Sequence, residues 1–158
     1  MKWTVLSDNR VGLQIEHGLS LLLQTERYRL LLDTGASDLF IRNAEHMGID
    51  LRSVDYVFIS HGHSDHAGGL RYFLDINNHA KVILSPYALN GQFFSRHKCL
   101  HSITAHWRKD VQDRLLLVDH TIEIAPGLHI IANIPKLHPL PQGNQHLLCA
   151  SIRHIRHT

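Results

Sequence analysis

The sequence predicts an α/β fold in which strands alternate with helices around a mixed sheet. Short apolar runs of strand length recur along the chain, and segments between them place apolar residues at helical spacing. The runs at 18–26 and 28–33 are separated by Arg27 alone, which predicts an antiparallel hairpin. The sheet is therefore expected to be mixed rather than wholly parallel.

The first part of the chain supplies most of the predicted sheet. Strands are predicted at 1–7, 18–26, 28–33 and 54–60. The last of these is the clearest, because it is dense in β-branched and aromatic residues. A helix is predicted over 37–47, where Ser37 is a suitable N-cap and Gly48 a suitable end.

The second part is less regular. Gly68 and Gly69 open a predicted helix that runs to about Ile76. Further strands are predicted at 81–85, 114–118 and 121–131. Residues 87–110 fit both helix and loop, and the proline-rich stretch from Ile134 onward is predicted to be loop.

Composition is typical of a soluble protein with one domain. The chain has 158 residues, 44% hydrophobic and 19% charged, with a net charge of +2. It contains no run of basic residues for nucleic acid and no apolar run long enough for a membrane span. Cys99 and Cys149 lie far apart, which indicates a reducing compartment. We therefore expect a cytoplasmic protein without nucleic-acid or membrane partners.

The chemistry is concentrated in His61, His63, Asp65 and His66, which directly follow the 54–60 strand. Residues two apart in an extended segment point the same way, so His61 and His63 can bind one ion together. Asp65 and His66 face elsewhere and suit a second ion beside the first. Imidazole and carboxylate ligands favour zinc, with iron and manganese as alternatives.

Asp33 has two interpretations at this stage. Asp33-Thr34-Gly35 is good turn chemistry, so the carboxylate can be a plain turn residue. It can also accept a hydrogen bond from a ligating histidine and so orient it. The local sequence favours the turn.

Two motifs closely resemble the metallo-β-lactamase superfamily. They are Leu-Leu-Asp-Thr-Gly at 31–35 and Ile-Ser-His-Gly-His-Ser-Asp-His-Ala-Gly-Gly at 59–69. Glu-His-Gly-Leu-Ser at 16–20 and Gly-Ile-Asp-Leu at 48–51 resemble a narrower branch, as does Ile-Ala-Pro-Gly-Leu at 124–128. That branch contains the dihydropterin ribofuranosylaminobenzene phosphate synthase-like metal-dependent hydrolases.

The resemblance implies a four-layer αββα sandwich with two divalent metal ions. It places His61 and His63 on one metal and Asp65 and His66 on the other, and it moves Asp33 to the edge of the active site. Asp65 and Asp33 are then the expected catalytic residues, and His17 is expected near the site without a defined role. A metal-activated water is expected to attack a small ester, lactone or phosphate-containing substrate.

The match covers residues 3 to about 148, with 149–158 as an atypical tail, so 1–148 is expected to be the N-terminal half of the domain. In the family, a second half supplies two further histidines and a bridging aspartate. His101, His106, His120 and His138 are the available substitutes, although each suits an ordinary surface position better.

Whether the chain is an enzyme therefore stays open. One alternative is an inactive, truncated metal-binding half-domain or partner protein, and another is a transferase acting on a phosphorylated pterin precursor. Half of a two-sheet sandwich would leave apolar surface uncovered, so we also expect self-association or association with another chain.

Overall fold

Strands make up most of the regular structure in the computed structural model, which describes residues 1–10, 13–135, 137–151 and 154–157. The strands of this part of the chain are β1 (Lys2–Ser7), β2 (Ser20–Gln24), β3 (Arg29–Leu32), β4 (Tyr56–Ile59), β5 (Lys81–Leu84), β6 (Gln92–Ser95), β7 (His101–Ser102), β8 (Leu115–Leu117), β9 (Ile122–Ala125), β10 (Leu128–Ile130), β11 (Leu147–Ser151) and β12 (His154–His157). The α-helices are α1 (Leu39–His46), α2 (Ser64–Ala67), α3 (Leu70–Ile76) and α4 (Pro86–Asn90). Short 3-10 helices lie at Leu51–Ser53, Lys109–Arg114 and Gln142–His146.

The central sheet has six strands in the order β1-β2-β3-β4-β5-β8. The β1–β2 and β2–β3 pairs are antiparallel, whereas β3–β4, β4–β5 and β5–β8 are parallel. The predicted mixed α/β sheet is therefore confirmed. Because β3 and β4 are parallel neighbours, the loops that leave their carboxyl ends lie side by side.

One face of this sheet carries the core. Leu22, Leu31 and Val57 are opposite one another on successive strands and are fully buried. They belong to one apolar cluster with Phe40 of α1 and Phe73 of α3. Burying a side chain of this size contributes about 1.5–3 kcal/mol, so the two helices hold this face firmly.

The opposite face is covered unevenly. The β9–β10 hairpin approaches it, since the Tyr28 hydroxyl donates to the Pro126 carbonyl at 3.3 Å. Ile83 of this face is fully buried, whereas Trp3 and Val5 at the β1 edge are 52% and 39% exposed. The chain therefore has a helical layer, a full sheet and a small piece of a second sheet.

Two sequence predictions were wrong in this region. The segment at 121–131 is not one strand, because the chain reverses at Pro126 and Gly127, whose φ is +80°. The stretch after Ile134 is not all loop, because it includes a 3-10 helix and β11, which pairs with β6, and β12. Residues 152, 153 and 158 of the predicted tail lie outside the described residues.

The ambiguous stretch at 87–110 contains α4, β6 and β7. A third sheet, with four strands in the order β12-β11-β6-β7, joins this stretch to the end of the described chain. None of the helices in the described ranges is both long and apolar enough to cross a membrane.

Candidate metal centre

The four predicted metal ligands leave the carboxyl end of β4. His61 and His63 belong to the extended turn after β4, and Asp65 and His66 lie on the single turn of α2. The ring of His61 lies 4.4 Å from that of His63 and 4.2 Å from that of His66, measured between centroids. The structure therefore brings all three imidazoles together. We call the segment that carries them, residues 60–66, the histidine loop.

Asp33 lies beside this loop, as one of its two interpretations predicted. Its carboxylate is almost fully buried and accepts from the Ser60 amide at 2.8 Å, the Ser60 hydroxyl at 2.7 Å and His66 Nδ1 at 2.7 Å. Its backbone has a φ of +54°, a turn conformation that Asp tolerates better than most residues. Asp33 is thus a turn residue and an orienting carboxylate at once.

Ser60 extends this network to a second imidazole. Its hydroxyl donates to Asp33, so it accepts from Nδ1 of His61, which lies 2.8 Å away. Both His61 and His66 are then held with Nε2 facing away from Asp33. Ser60 was not predicted as a site residue, although its position directly before His61 indicates that it lies close to the metal motif.

The protonation of the imidazoles suits metal binding. Burial, reinforced by the neighbouring imidazoles, lowers the pKa of His61 to about 4, and burial also lowers the pKa of His63. Burial works against protonation of His66 as well, but the hydrogen bond and charge of Asp33 raise its pKa overall. His61 and His63 are therefore neutral at pH 7, with a lone pair free for a cation.

Asp65 faces two imidazoles. Its Oδ2 lies 3.7 Å from Nε2 of His66 and 3.3 Å from Nε2 of His17. The predicted proximity of His17 to the site is thus observed. The side chain of Asp65 is about a quarter exposed, so an incoming ion or substrate can reach it.

Residues 103–105, directly after β7, form backbone hydrogen bonds with the histidine loop. The Ser64 amide donates to the Ile103 carbonyl at 2.7 Å, and the Ala105 amide donates to the Gly62 carbonyl at 2.9 Å. A Cβ at Gly62 would lie 2.4 Å from the ring of Phe93, so only glycine fits here without a shift. The sequence left residues 87–110 open between helix and loop, so these hydrogen bonds to the histidine loop were not predicted.

A cavity of about 410 Å³ opens next to His61 and His63. Its walls are formed mainly by Tyr87, Ala88, Phe93 and Leu147, with Ser60, Ser85 and Asn144 as further polar contributors. The edge of Phe93 meets the ring of His63 at 5.1 Å. The cavity therefore offers an apolar pocket that borders the imidazoles.

The donor set fits divalent metal ions, because it combines neutral imidazoles with a carboxylate. Among the described residues, no three His, Cys, Asp or Glu side chains are already arranged as a metal-binding group. The imidazole rings pack against one another, so they must turn their nitrogens toward an entering ion. His101, His106, His120 and His138 are all exposed, and His120 pairs with the adjacent Asp119 at 2.7 Å.

A family model and several known proteins match the chain. The family model of the metallo-beta-lactamase superfamily matches residues 15–133. The chain is 26% identical over 130 residues to 7,8-dihydropterin-6-methyl-4-(beta-D-ribofuranosyl)-aminobenzene-5'-phosphate synthase of Methanocaldococcus jannaschii, covering 75% of this chain and 44% of the synthase. It is 39% identical over 74 residues to a UPF0173 metal-dependent hydrolase of Opitutus terrae, covering 46% of this chain and 30% of the hydrolase.

Among solved structures, Tm1679, a metal-dependent hydrolase of the beta-lactamase superfamily, superimposes with a TM-score of 0.75 at 30% identity. The alignment covers 99% of this chain and 56% of Tm1679. The chain thus spans less than half the length of the two curated relatives and little more than half of Tm1679. The chain belongs to the metallo-beta-lactamase superfamily and covers part of its fold.

Proposed function

We propose that the chain provides a two-metal hydrolase site for a small ester, lactone or phosphate-containing substrate. The observation that carries this proposal is the grouping of three imidazoles and Asp65 at the carboxyl end of β4, beside an open apolar cavity. Two relatives are named metal-dependent hydrolases, which supports the same reaction class.

The proposed roles combine the ligand assignment that the family resemblance implies with the contacts of Asp33 and Ser60. His61 and His63 would hold the first ion, and Asp65 and His66 the second. Asp33 positions His66 directly and His61 through Ser60. Bound divalent ions would supply an acidified water as nucleophile and stabilise the oxyanion that develops in the substrate.

The cavity favours a neutral ester or lactone over a phosphorylated substrate. Tyr87, Ala88, Phe93 and Leu147 suit an apolar or aromatic group, and none of the described residues that line the cavity is Lys or Arg. A phosphate placed there would have only the metal ions as counterions, whereas phosphate sites normally add Arg, Lys or backbone amides. Zinc is the first candidate metal because the donors are imidazole nitrogens and a carboxylate oxygen.

The synthase relative makes transfer onto a phosphorylated pterin precursor the second candidate. The same cavity argues against it, because the pterin phosphate would lack a basic partner. The remaining alternative is a metal-binding protein without turnover. Elemental analysis combined with a catalytic assay distinguishes this alternative from a hydrolase, because such a protein would bind metal and hydrolyse no substrate.

Elemental analysis of untagged protein tests the metal site. Wild type should retain zinc, iron or manganese, and the His61→Ala/His63→Ala variant should lose about half of it or more. A matched control is His79→Ala/His129→Ala, which also removes two histidines, both exposed and outside the histidine loop. Equal metal in wild type and in the His61→Ala/His63→Ala variant would overturn the proposal.

A substrate series tests the reaction. We expect p-nitrophenyl butyrate or a small lactone to be hydrolysed in a metal-dependent way, and bis-p-nitrophenyl phosphate more slowly. The His61→Ala/His63→Ala variant should be inactive on all of them. Full metal content with no turnover of any substrate would instead favour the inactive metal-binding alternative.

A further inference from the structure

The second metal of the proposed site has two ligands from the histidine loop, Asp65 and His66. Zinc in proteins is normally held by at least three protein ligands. A third side chain beside Asp65 is therefore expected if that ion is to be held tightly. In this structure the side chain beside Asp65 is His17, which lies far from the metal motif in sequence.

Two of the three distances between the donor atoms are close to those within one zinc coordination sphere, so small side-chain rotations would bring the three donors onto one ion. Donors bound at zinc distances in a tetrahedron lie about 3.3 Å from one another. Asp65 Oδ2 lies 3.3 Å from His17 Nε2 and 3.7 Å from His66 Nε2. Nδ1 of His66 is engaged by Asp33, so Nε2 is the nitrogen available to an ion.

The position of His17 is set by the residues on either side of it. Glu16 accepts from the Ser37 hydroxyl at 2.6 Å and from the Ala36 amide at 3.1 Å. Gly18 has a φ of +138°, and a Cβ there would lie 2.1 Å from the backbone oxygen of Asp65. The backbone around His17 is therefore held on one side at the turn after β3 and on the other side against the histidine loop.

The side chain of His17 itself is 81% exposed. An exposed imidazole gains little from packing, so neither burial nor core packing explains why it is held at Asp65. A solvent-exposed pair of this kind contributes little to stability. Exposure also leaves the ring free to turn its nitrogen toward an ion.

We infer that His17 supplies a third protein ligand, through Nε2, to the metal ion held by Asp65 and His66. This inference rests on the proposed function, since it requires that the histidine loop bind metal. It would give the second ion a third protein ligand from the connection between β1 and β2.

Calorimetric titration of metal-free protein with zinc tests the inference. Wild type should bind two equivalents. His17→Ala should keep the first at unchanged affinity and weaken the second at least tenfold, whereas His79→Ala should behave like wild type. His17→Gln keeps a hydrogen-bond donor toward Asp65 but not an imidazole, so it should weaken the second equivalent as well.

The nitrogen resonances of the imidazoles give a direct reading. In two-bond proton–nitrogen spectra, Nε2 of His17 should move to the position of a metal-bound nitrogen as the second equivalent is added. Wild-type affinity for both equivalents in His17→Ala or in His17→Gln, or an unmoved His17 signal, would overturn the inference. If wild type binds no zinc at all, it is the proposed function that fails.

Discussion

Replacing Asp33 with asparagine separates the charge of this carboxylate from its shape. Asparagine has nearly the same size and tolerates the positive φ of Asp33. Its oxygen can still accept from the Ser60 amide. Its NH2 group cannot accept from His66 Nδ1 or from the Ser60 hydroxyl, both of which lie 2.7 Å from Asp33 Oδ2.

The expected effect follows from these two hydrogen bonds. Each hydrogen bond to a charged group contributes about 1.5–3 kcal/mol, but the exposed edges of Ser60 and His66 can recover part of this from water. We expect the free energy of unfolding to fall by about 2–4 kcal/mol. Metal affinity should fall about tenfold to a hundredfold, because the carboxylate orients one imidazole directly and a second through Ser60.

Urea denaturation of metal-free protein and zinc titration measure the two effects separately. Asp55→Asn is the matched control, because Asp55 accepts from the Arg29 amide at 2.8 Å at the opposite end of the same strands. It should cost about 1 kcal/mol and leave metal affinity unchanged. If Asp33→Asn kept wild-type stability and wild-type zinc affinity, the orienting network would have no energetic role.

Three further outcomes are expected. Gly62→Ala should lower the free energy of unfolding by about 1–3 kcal/mol, because its Cβ would lie 2.4 Å from a backbone oxygen. Gly143→Ala is the control, because the space around Gly143 is open, and it should change the free energy of unfolding little in the same urea assay. Equal effects of the two substitutions would contradict the packing argument. Because burial lowers the pKa of His61 from 6.5 to about 4, the unfolded chain takes up this proton first. Metal-free protein should therefore lose stability as the pH falls from about 6.5 to about 4, and urea titrations at several pH values should show a flatter profile for His61→Ala. Light scattering should show that the wild-type protein self-associates, because association removes the exposed Trp3 and Val5 from water, and Trp3→Lys should weaken this association. A wild-type protein that stays monomeric at all concentrations would contradict the prediction.

The centre of the site could be predicted because it depends on local patterns. The apolar runs that become β3 and β4 are unambiguous, and the residues that follow them are polar. Parallel pairing of adjacent strands then places Asp33 next to Ser60 and the histidines. What the local pattern alone could not show was whether Asp33 forms a turn or orients a ligand, since it does both.

The supports of the site could not be predicted because they depend on pairing between distant segments. The β11 strand follows a proline-rich stretch and pairs with β6, where Leu148 lies opposite Phe94. Likewise, β7 is only two residues long, and its neighbours Ile103 and Ala105 reach the histidine loop through backbone groups. Backbone pairing of this kind leaves little trace in side-chain periodicity.

The Glu16-His17-Gly18 segment makes a long-range contact of this kind, because it reaches Ala36, Ser37 and Asp65. Glu16 accepts from the Ala36 amide and the Ser37 hydroxyl, which ties its segment to the turn after β3. Gly18 allows its backbone to touch Asp65, which a side chain at that position would prevent. With both neighbours held by separate contacts, the His17 side chain lies beside Asp65, with Nε2 3.3 Å from Oδ2. Contacts within the fold account for Glu16 and Gly18, whereas the proposed second metal ion would account for the histidine between them.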